Sequence, residues 1–147
     1  MRTMSAETVR DAMVPEPTTL AASASAQDAG RCFADNGDVR AIFVTEESGR
    51  LLGVVTRKTL VREVVAAGLE PPAVPLRTIA EPPNFTLDAG LQLEGAFRFL
   101  EEQDLERVPV VEEGGRLVGV LSRDVVQRRL AEDEPPADEP EAGSLVL

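Results

Sequence analysis

An internal duplication constrains the fold of this chain more than any other feature of its sequence. Residues 49–60 read GRLLGVVTRKTL, and residues 115–126, which lie 66 positions later, read GRLVGVLSRDVV. Apolar or small residues at helical spacing also recur, at an offset of 67: Ala26, Ala29, Gly30 and Phe33, then Leu93, Ala96, Phe97 and Leu100. We therefore expect two copies of one unit of about 60 residues.

Each unit is predicted to have the order β-α-β-β-α. A short extended segment leads to a helix, and Ser25 and Asp88 are the expected N-caps of the two helices. Two strands joined by a glycine turn follow, and a closing helix then begins after Thr56 or Ser122. The predicted strand pairs are Ala41–Thr45 with Leu51–Val55, and Val108–Val111 with Leu117–Leu121. The fold class is α/β (α+β), with two repeats packed around a pseudo-two-fold axis and a cleft between them.

The chain divides into four predicted segments. Repeat 1 spans residues 8–68, a Pro-rich linker expected to be extended spans 69–75, and repeat 2 spans 76–131. An acidic tail, expected to be disordered, spans 132–147. The tail ends in Leu145-Val146-Leu147, for which a frayed terminus is favoured over docking on a partner.

Several residue types are missing, and their absence excludes classes of function. The chain has no His, Trp or Tyr, and its single cysteine is Cys32. Ser-His-Asp and Cys-His catalysis, cysteine-cluster metal sites and intramolecular disulfides are therefore excluded. A net charge of −11 with Phe as the only aromatic residue disfavours nucleic acid as a partner. The sequence shows neither a membrane span nor an apolar signal segment, so a cytoplasmic location is expected.

Three features make the chain resemble a tandem pair of CBS domains, the family named after cystathionine β-synthase. The first is the leading motif TVRDAMVP (8–15), which PLRTIAEPP (75–83) echoes before repeat 2. The second is the order of apolar strand, acidic turn and glycine. The third is a Gly-apolar-apolar-Thr/Ser motif that opens a helix, found as Gly53-Val54-Val55-Thr56 and Gly119-Val120-Leu121-Ser122.

The resemblance implies a regulatory module whose cleft between the repeats holds an adenosine ligand such as AMP, ATP or S-adenosylmethionine. The ligand-binding residues it implies are Gly53, Thr56, Arg57, Thr59, Gly119, Ser122 and Arg123. The family's binders usually carry an acidic residue three positions after the Thr or Ser, where it accepts from the ribose. Thr59 and Val125 stand there instead. We therefore expect a weak or empty second site, whereas the first site stays open to a ligand.

Two other functions remain open at this point. One is a ligand-free structural or dimerisation module that binds a protein partner. The other is an enzyme that uses carboxylates and a metal, for which no spacing in the sequence arranges converging acidic groups, so no catalytic residue and no metal site is predicted. Apolar faces on the closing helices predict a homodimer with two-fold symmetry. Cys32, on the first helix, is expected to be a bystander thiol rather than a redox sensor.

Overall fold

The computed structural model describes residues 7–15 and 17–132. These residues form two copies of one unit, and a short leading segment comes before the first strand of each copy. The first leading segment forms α1 (Val9–Ala12) and β1 (Val14–Pro15). Repeat 1 then contains β2 (Thr19–Ala21), α2 (Ala26–Asp35), β3 (Ile42–Thr45), β4 (Leu51–Val55) and α3 (Arg57–Leu60), which continues into a π-helical turn (Val61–Val65). Repeat 2 contains β5 (Leu87–Asp88), α4 (Leu93–Glu102), β6 (Arg107–Glu112), β7 (Arg116–Ser122) and α5 (Arg123–Glu132).

The two units have the same sheet topology, which confirms the predicted mixed α/β fold. β2 runs parallel to β3, and β3 pairs antiparallel with β4. β5, β6 and β7 repeat that arrangement. The glycines of the two hairpin turns have positive φ, +92° at Gly49 and +82° at Gly115, which a residue with a Cβ rarely adopts.

The leading segments are exchanged between the repeats. β1 pairs antiparallel with β7 of repeat 2. Glu81, in the leading segment of repeat 2, pairs with β4 of repeat 1, where its backbone N–H and carbonyl both bond Val54 at 2.9 and 2.8 Å. Each repeat therefore receives an extra backbone partner from the other half of the chain.

The hydrophobic cores follow the same exchange. Val9 and Ala12 of α1 are buried among the core residues of repeat 2, together with Leu93, Leu100, Val108 and Leu121. Leu76 and Ile79, in the leading segment of repeat 2, are buried in the core of repeat 1 with Phe33, Ile42, Val44 and Val55. Each core is therefore completed by residues from the leading segment of the other repeat.

Two local predictions differ from the structure. Asp88 does not cap a helix, because it ends β5, and its Oδ1 accepts from the N–H of Gly90 at 2.8 Å; α4 begins at Leu93 after Gln92. The linker is not a free extended tether. Pro71–Ala73 forms a 3-10 turn, Val74 is 7% exposed, and its carbonyl accepts from the N–H of Ala26 at 2.8 Å.

Other local predictions are confirmed or lie outside the described residues. Ser25 caps α2, since its Oγ accepts from the N–H of Asp28 at 3.1 Å. The predicted tail, apart from Glu132 at the end of α5, lies outside the part of the chain that the structure describes. Among the described residues, no helix is both long and apolar enough to cross a membrane.

Candidate functional site

The site residues implied by the sequence collect at two equivalent places, the carboxyl ends of β4 and β7, where the closing helices begin. Thr56 is the N-cap of α3, and Ser122 ends β7 immediately before α5. Gly53 and Gly119 lie three residues earlier on the two strands. The two places are related by the pseudo-two-fold axis and lie in different repeats.

Gly53 and Gly119 make room for the exchanged leading segments. A Cβ on Gly53 would lie 2.8 Å from the Glu81 carbonyl oxygen and 2.9 Å from the Ala80 Cβ. A Cβ on Gly119 would lie 2.6 Å from the Met13 Sδ and 2.8 Å from the Val14 carbonyl oxygen. The space above both glycines is thus filled by the protein's own backbone, a role that the sequence did not indicate.

Thr56 and Thr59 form a closed capping box. The N–H of Thr56 donates to Oγ1 of Thr59 at 3.0 Å, and the N–H of Thr59 donates to Oγ1 of Thr56 at 3.2 Å. The two hydroxyls lie 3.0 Å apart, and Thr59 is 1% exposed. In this conformation Thr59 satisfies the start of the helix and has no surface on which a ribose could bind.

Arg57 anchors the end of the preceding helix. Its guanidinium donates to the carbonyls of Val39 at 2.7 Å, Phe33 at 3.2 Å and Gly37 at 3.4 Å. It also lies 4.7 Å from the centroid of the Phe33 ring. Because all these acceptors are neutral, the positive charge of Arg57 has no carboxylate partner among the described residues.

Arg123, the equivalent residue in repeat 2, is neutralised. It pairs with Glu106 at 2.8 Å and with Asp104 at 3.4 Å. Burial alone would lower the pKa of Arg123, but the hydrogen bonds and charges of Glu106 and Asp104 outweigh it and raise that pKa.

The next position in each repeat strengthens the contrast. Lys58 follows Arg57 and is exposed, with no ion pair among the described residues, whereas the equivalent residue in repeat 2 is Asp124. The first turn of the closing helix is therefore positively charged in repeat 1. In repeat 2 it carries one neutralised arginine and one additional carboxylate.

A set of charged residues at the pseudo-two-fold axis was not predicted as a group. Arg50 and Arg116 pair antiparallel, and the N–H of Leu117 donates to the carbonyl of Gly49 at 3.0 Å. Glu112 pairs with Arg10 at 2.9 Å and with Arg116 at 3.2 Å. Both arginines are exposed, and Arg116 begins β7. No sequence pattern indicates that the two hairpins meet.

A cavity of about 910 Å³ lies at the opposite end of the repeat 1 sheet. It is lined by the ends of β2 and β3, the hairpin turn and Arg77, and it contains none of the site residues implied by the sequence. The candidate site lies at the two helix starts described above and not in this cavity, whose lining is part polar and part apolar. Within residues 7–15 and 17–132, no three His, Cys, Asp or Glu side chains are grouped so as to hold a metal ion.

Comparison with known proteins agrees with this architecture. The family model for the CBS domain matches residues 9–66 and again 76–132. The chain belongs to the CBS domain family. It is a tandem CBS pair, with both repeats present in one chain.

Two curated proteins illustrate the range of its relatives. Hypoxic response protein 1 of Mycobacterium tuberculosis is 30% identical over 131 residues, which cover 85% of this CBS pair and 86% of that protein. The uncharacterized protein MK0525 of Methanopyrus kandleri is 26% identical over 90 residues, or 60% of this chain. That match spans 46% of MK0525, less than half of its length.

Two solved CBS structures are similar in fold. A crystal structure of Hypoxic Response Protein I with two coordinated zinc ions has a TM-score of 0.70 and 27% identity, covering 83% of this chain and 98% of that one. A crystal structure of CBSX2 in complex with AMP has a TM-score of 0.67 and 25% identity, covering 86% of this chain and 97% of that one. With no His and a single Cys, this chain has no imidazole and only one thiol among the usual zinc ligands.

Proposed function

We propose that this CBS pair is a regulatory module that binds a phosphate-bearing adenosine ligand, such as AMP or ATP, at the first turn of the closing helix of repeat 1. The observation that carries the proposal is the charge contrast between the two helix starts. Arg57 and Lys58 have no carboxylate partner among the described residues, whereas Arg123 pairs with Glu106 and Asp104. The AMP bound to the similar CBSX2 fold supports the adenosine part.

Among the adenosine ligands considered, the positive charge favours those with phosphate. A phosphate gains from a cation and from the unsatisfied N–H groups at a helix start. S-adenosylmethionine has no phosphate, and its sulfonium is positively charged, so Lys58 should stabilise its binding less. We therefore rank AMP and ATP above S-adenosylmethionine.

Binding at this place has a direct route to the other repeat. Val54, two residues before Thr56, shares two backbone hydrogen bonds with Glu81 of the exchanged leading segment. The side chain of Glu81 also pairs with Arg62 of the same closing helix. A ligand that shifts the start of this helix would favour one packing of the two repeats over another, which is how a regulatory module transmits occupancy.

Titration calorimetry on the full chain tests the proposal with AMP, ADP, ATP, S-adenosylmethionine and NAD. We expect one ligand per chain, and about tenfold or more weaker binding in Lys58→Ala, because a hydrogen bond from a charged group is lost. Asp124→Ala, at the equivalent position in repeat 2, is the matched control and should leave the affinity unchanged. Asp124→Lys should strengthen the second site. Absence of heat and of a thermal shift at millimolar ligand would overturn the proposal.

A ligand-free structural module is the second candidate. It is favoured by the closed capping box at Thr59 and by the filled space above Gly53 and Gly119. A crystal structure grown with millimolar AMP in which both helix starts are empty would support it. We propose neither an enzymatic activity nor a resident cofactor, and the cytoplasmic location stays a prediction.

A further inference from the structure

We propose that the cavity at the end of the repeat 1 sheet is a second binding site, separate from the helix starts, for an α-amino acid with an apolar side chain. Its volume of about 910 Å³ lies within the roughly 300–1,000 Å³ of small-molecule sites. Its lining brings together one arginine, two glutamates, three hydroxyl side chains and an apolar wall. These groups match the carboxylate, the ammonium and the side chain of such a ligand.

Arg77 is the cation of this cavity, and its guanidinium is free. The side chain is exposed and has neither an ion pair nor a hydrogen bond among the described residues. The backbone of Arg77 is held in the 3-10 turn Leu76–Thr78, and its N–H donates to the carbonyl of Ala22 at 3.0 Å. The residue is therefore fixed at the cavity while its guanidinium keeps its donors, two of which can bind one carboxylate.

The internal repeat shows what this arginine does when no cavity is kept open. The equivalent residue in repeat 2 is Arg10, whose backbone N–H makes the corresponding bond to Ala89 at 3.0 Å. The guanidinium of Arg10 pairs with Glu112 at 2.9 Å. Glu46 is the equivalent of Glu112, and both it and Arg77 line the cavity, but the two do not form an ion pair. The cation and the carboxylate that meet in repeat 2 thus stay apart in repeat 1.

The lining of the cavity also has more hydroxyls and fewer carboxylates than the equivalent surface of repeat 2. Three lining positions with a hydroxyl in repeat 1 have no polar side chain in repeat 2. They are Ser23, Thr45 and Ser48, which correspond to Gly90, Val111 and Gly114. A fourth position is Ala21 in repeat 1 and Asp88 in repeat 2. A carboxylate bound to the arginine of repeat 1 therefore meets more hydrogen-bond donors and less repulsion.

The glutamates of the hairpin turn determine the other charge of the ligand. Glu47 is exposed and has no ion pair among the described residues, and Glu46 lies 3.8 Å from its one cationic neighbour, Arg50. One cation and two carboxylates would repel a simple anion, whereas an ammonium beside the ligand carboxylate pairs with a glutamate. The half-buried Leu52 offers an apolar wall for the side chain. An apolar amino acid has all three features.

Titration calorimetry on the full chain without nucleotide tests each charge of the ligand separately. L-leucine carries both charges, 4-methylpentanoate keeps the carboxylate and the side chain, and 3-methylbutylamine keeps the ammonium and the side chain. We expect one L-leucine per chain and at least about tenfold weaker binding of either analogue, because each lacks one charged partner. Absence of heat with L-leucine, L-valine and L-methionine at millimolar concentration overturns the proposal. Equal binding of L-leucine and 4-methylpentanoate overturns it as well.

Substitutions locate the site. Arg77→Met removes the guanidinium and should weaken L-leucine binding at least about tenfold, whereas Arg10→Met, the matched control in repeat 2, should leave the affinity unchanged. Thr45→Val gives repeat 1 the residue that repeat 2 carries and should also weaken binding. Thermal unfolding checks the fold of each variant, and equal losses in Arg77→Met and Arg10→Met would overturn the proposal. Lys58→Ala should bind L-leucine as the wild type does, so this site and the nucleotide site fail independently.

Discussion

At the scale of single residues, the hydroxyl of Thr56 determines whether the closing helix of repeat 1 starts correctly. In Thr56→Ala the N–H of Thr59 loses its acceptor, so we expect the free energy of unfolding to fall by about 1 kcal/mol. Urea unfolding measures the change. Thr56→Ser retains the acceptor oxygen and should stay close to wild type; equal losses in both variants would mean that the methyl group, and not the cap, matters.

The equivalent arginines are expected to respond differently to salt. Arg57 donates to backbone carbonyls, whereas Arg123 pairs with two carboxylates. Salt screens the attraction between exposed charges, and it screens hydrogen bonds to carbonyls less. The loss of Tm in Arg123→Met should therefore be smaller in 1 M NaCl, where the Debye length is about 3 Å, than at low salt. The loss of Tm in Arg57→Met should be the same in both. Parallel salt responses would contradict this assignment.

How far the sequence predicted these residues depends on the distance to their partners. The caps at Ser25 and Thr56 were predictable because donor and acceptor lie within three residues. Arg57 was not, because its acceptors lie 18 to 24 residues away and are backbone carbonyls that no side-chain pattern marks. Asp88 was misassigned because an Asp before Ala-Gly is equally suited to the local turn that it makes with Gly90.

At the scale of secondary-structure elements, Gly53 controls how closely the exchanged segment approaches β4. Gly53→Ala would place a methyl group 2.8 Å from the Glu81 carbonyl oxygen, so the strands must separate. We expect a loss of about 1–3 kcal/mol in the free energy of unfolding. Gly30→Ala is the matched control, because its Cβ meets open space in a helix, and it should stabilise by about 0.5–1 kcal/mol. An unchanged free energy of unfolding in Gly53→Ala would show that the exchanged segment can move away from β4 at no cost in stability.

The elements themselves were largely predictable, and their irregularities were not. β4 has the predicted bounds, and α2 and α4 have the predicted buried faces. The π-helical turn was not predicted, because Leu60, Val61, Val64 and Val65 fit an ordinary helix equally well, and a shift of one hydrogen-bond partner leaves no mark in composition. The prolines of the linker predicted an extended tether. In the structure the linker packs on α2, because Val74 is buried and its carbonyl accepts from the N–H of Ala26.

At the scale of the whole molecule, the exchange of leading segments means that a substitution in the leading segment of one repeat destabilises the core of the other repeat. Leu76 lies in the leading segment of repeat 2 but is fully buried in the core of repeat 1. Leu76→Ala should cost about 2–5 kcal/mol, and hydrogen exchange should rise first in β3 and β4. Val9→Ala is the reciprocal variant and should expose β6 and β7 first. Exchange that rises equally in all four strands would indicate that the cores unfold together.

The contact between α1 and the hairpin of repeat 2 gives the molecule a pH dependence. The hydrogen bond from Arg10, opposed by burial and helped by the charges of Arg10 and Arg116, holds the pKa of Glu112 below its ordinary value. Because the folded-state pKa is lowered, the contribution of this carboxylate is fully present above its unfolded pKa and disappears as the pH falls through the folded value. Glu112→Gln should therefore have a lower Tm than wild type at pH 7, and the two should converge at acid pH.

The neighbouring glutamate provides the control for that titration. Glu113, the residue after Glu112, lies in the turn between β6 and β7. It is exposed and has no ion pair among the described residues. Glu113→Gln should follow the wild-type Tm at every pH, because it changes the net charge equally but leaves the bonds of Glu112 to Arg10 and Arg116 intact. If both variants lower the Tm by the same amount at pH 7, the decrease is due to net charge and not to the link between α1 and repeat 2. If only Glu112→Gln does, that link stabilises the exchanged leading segment.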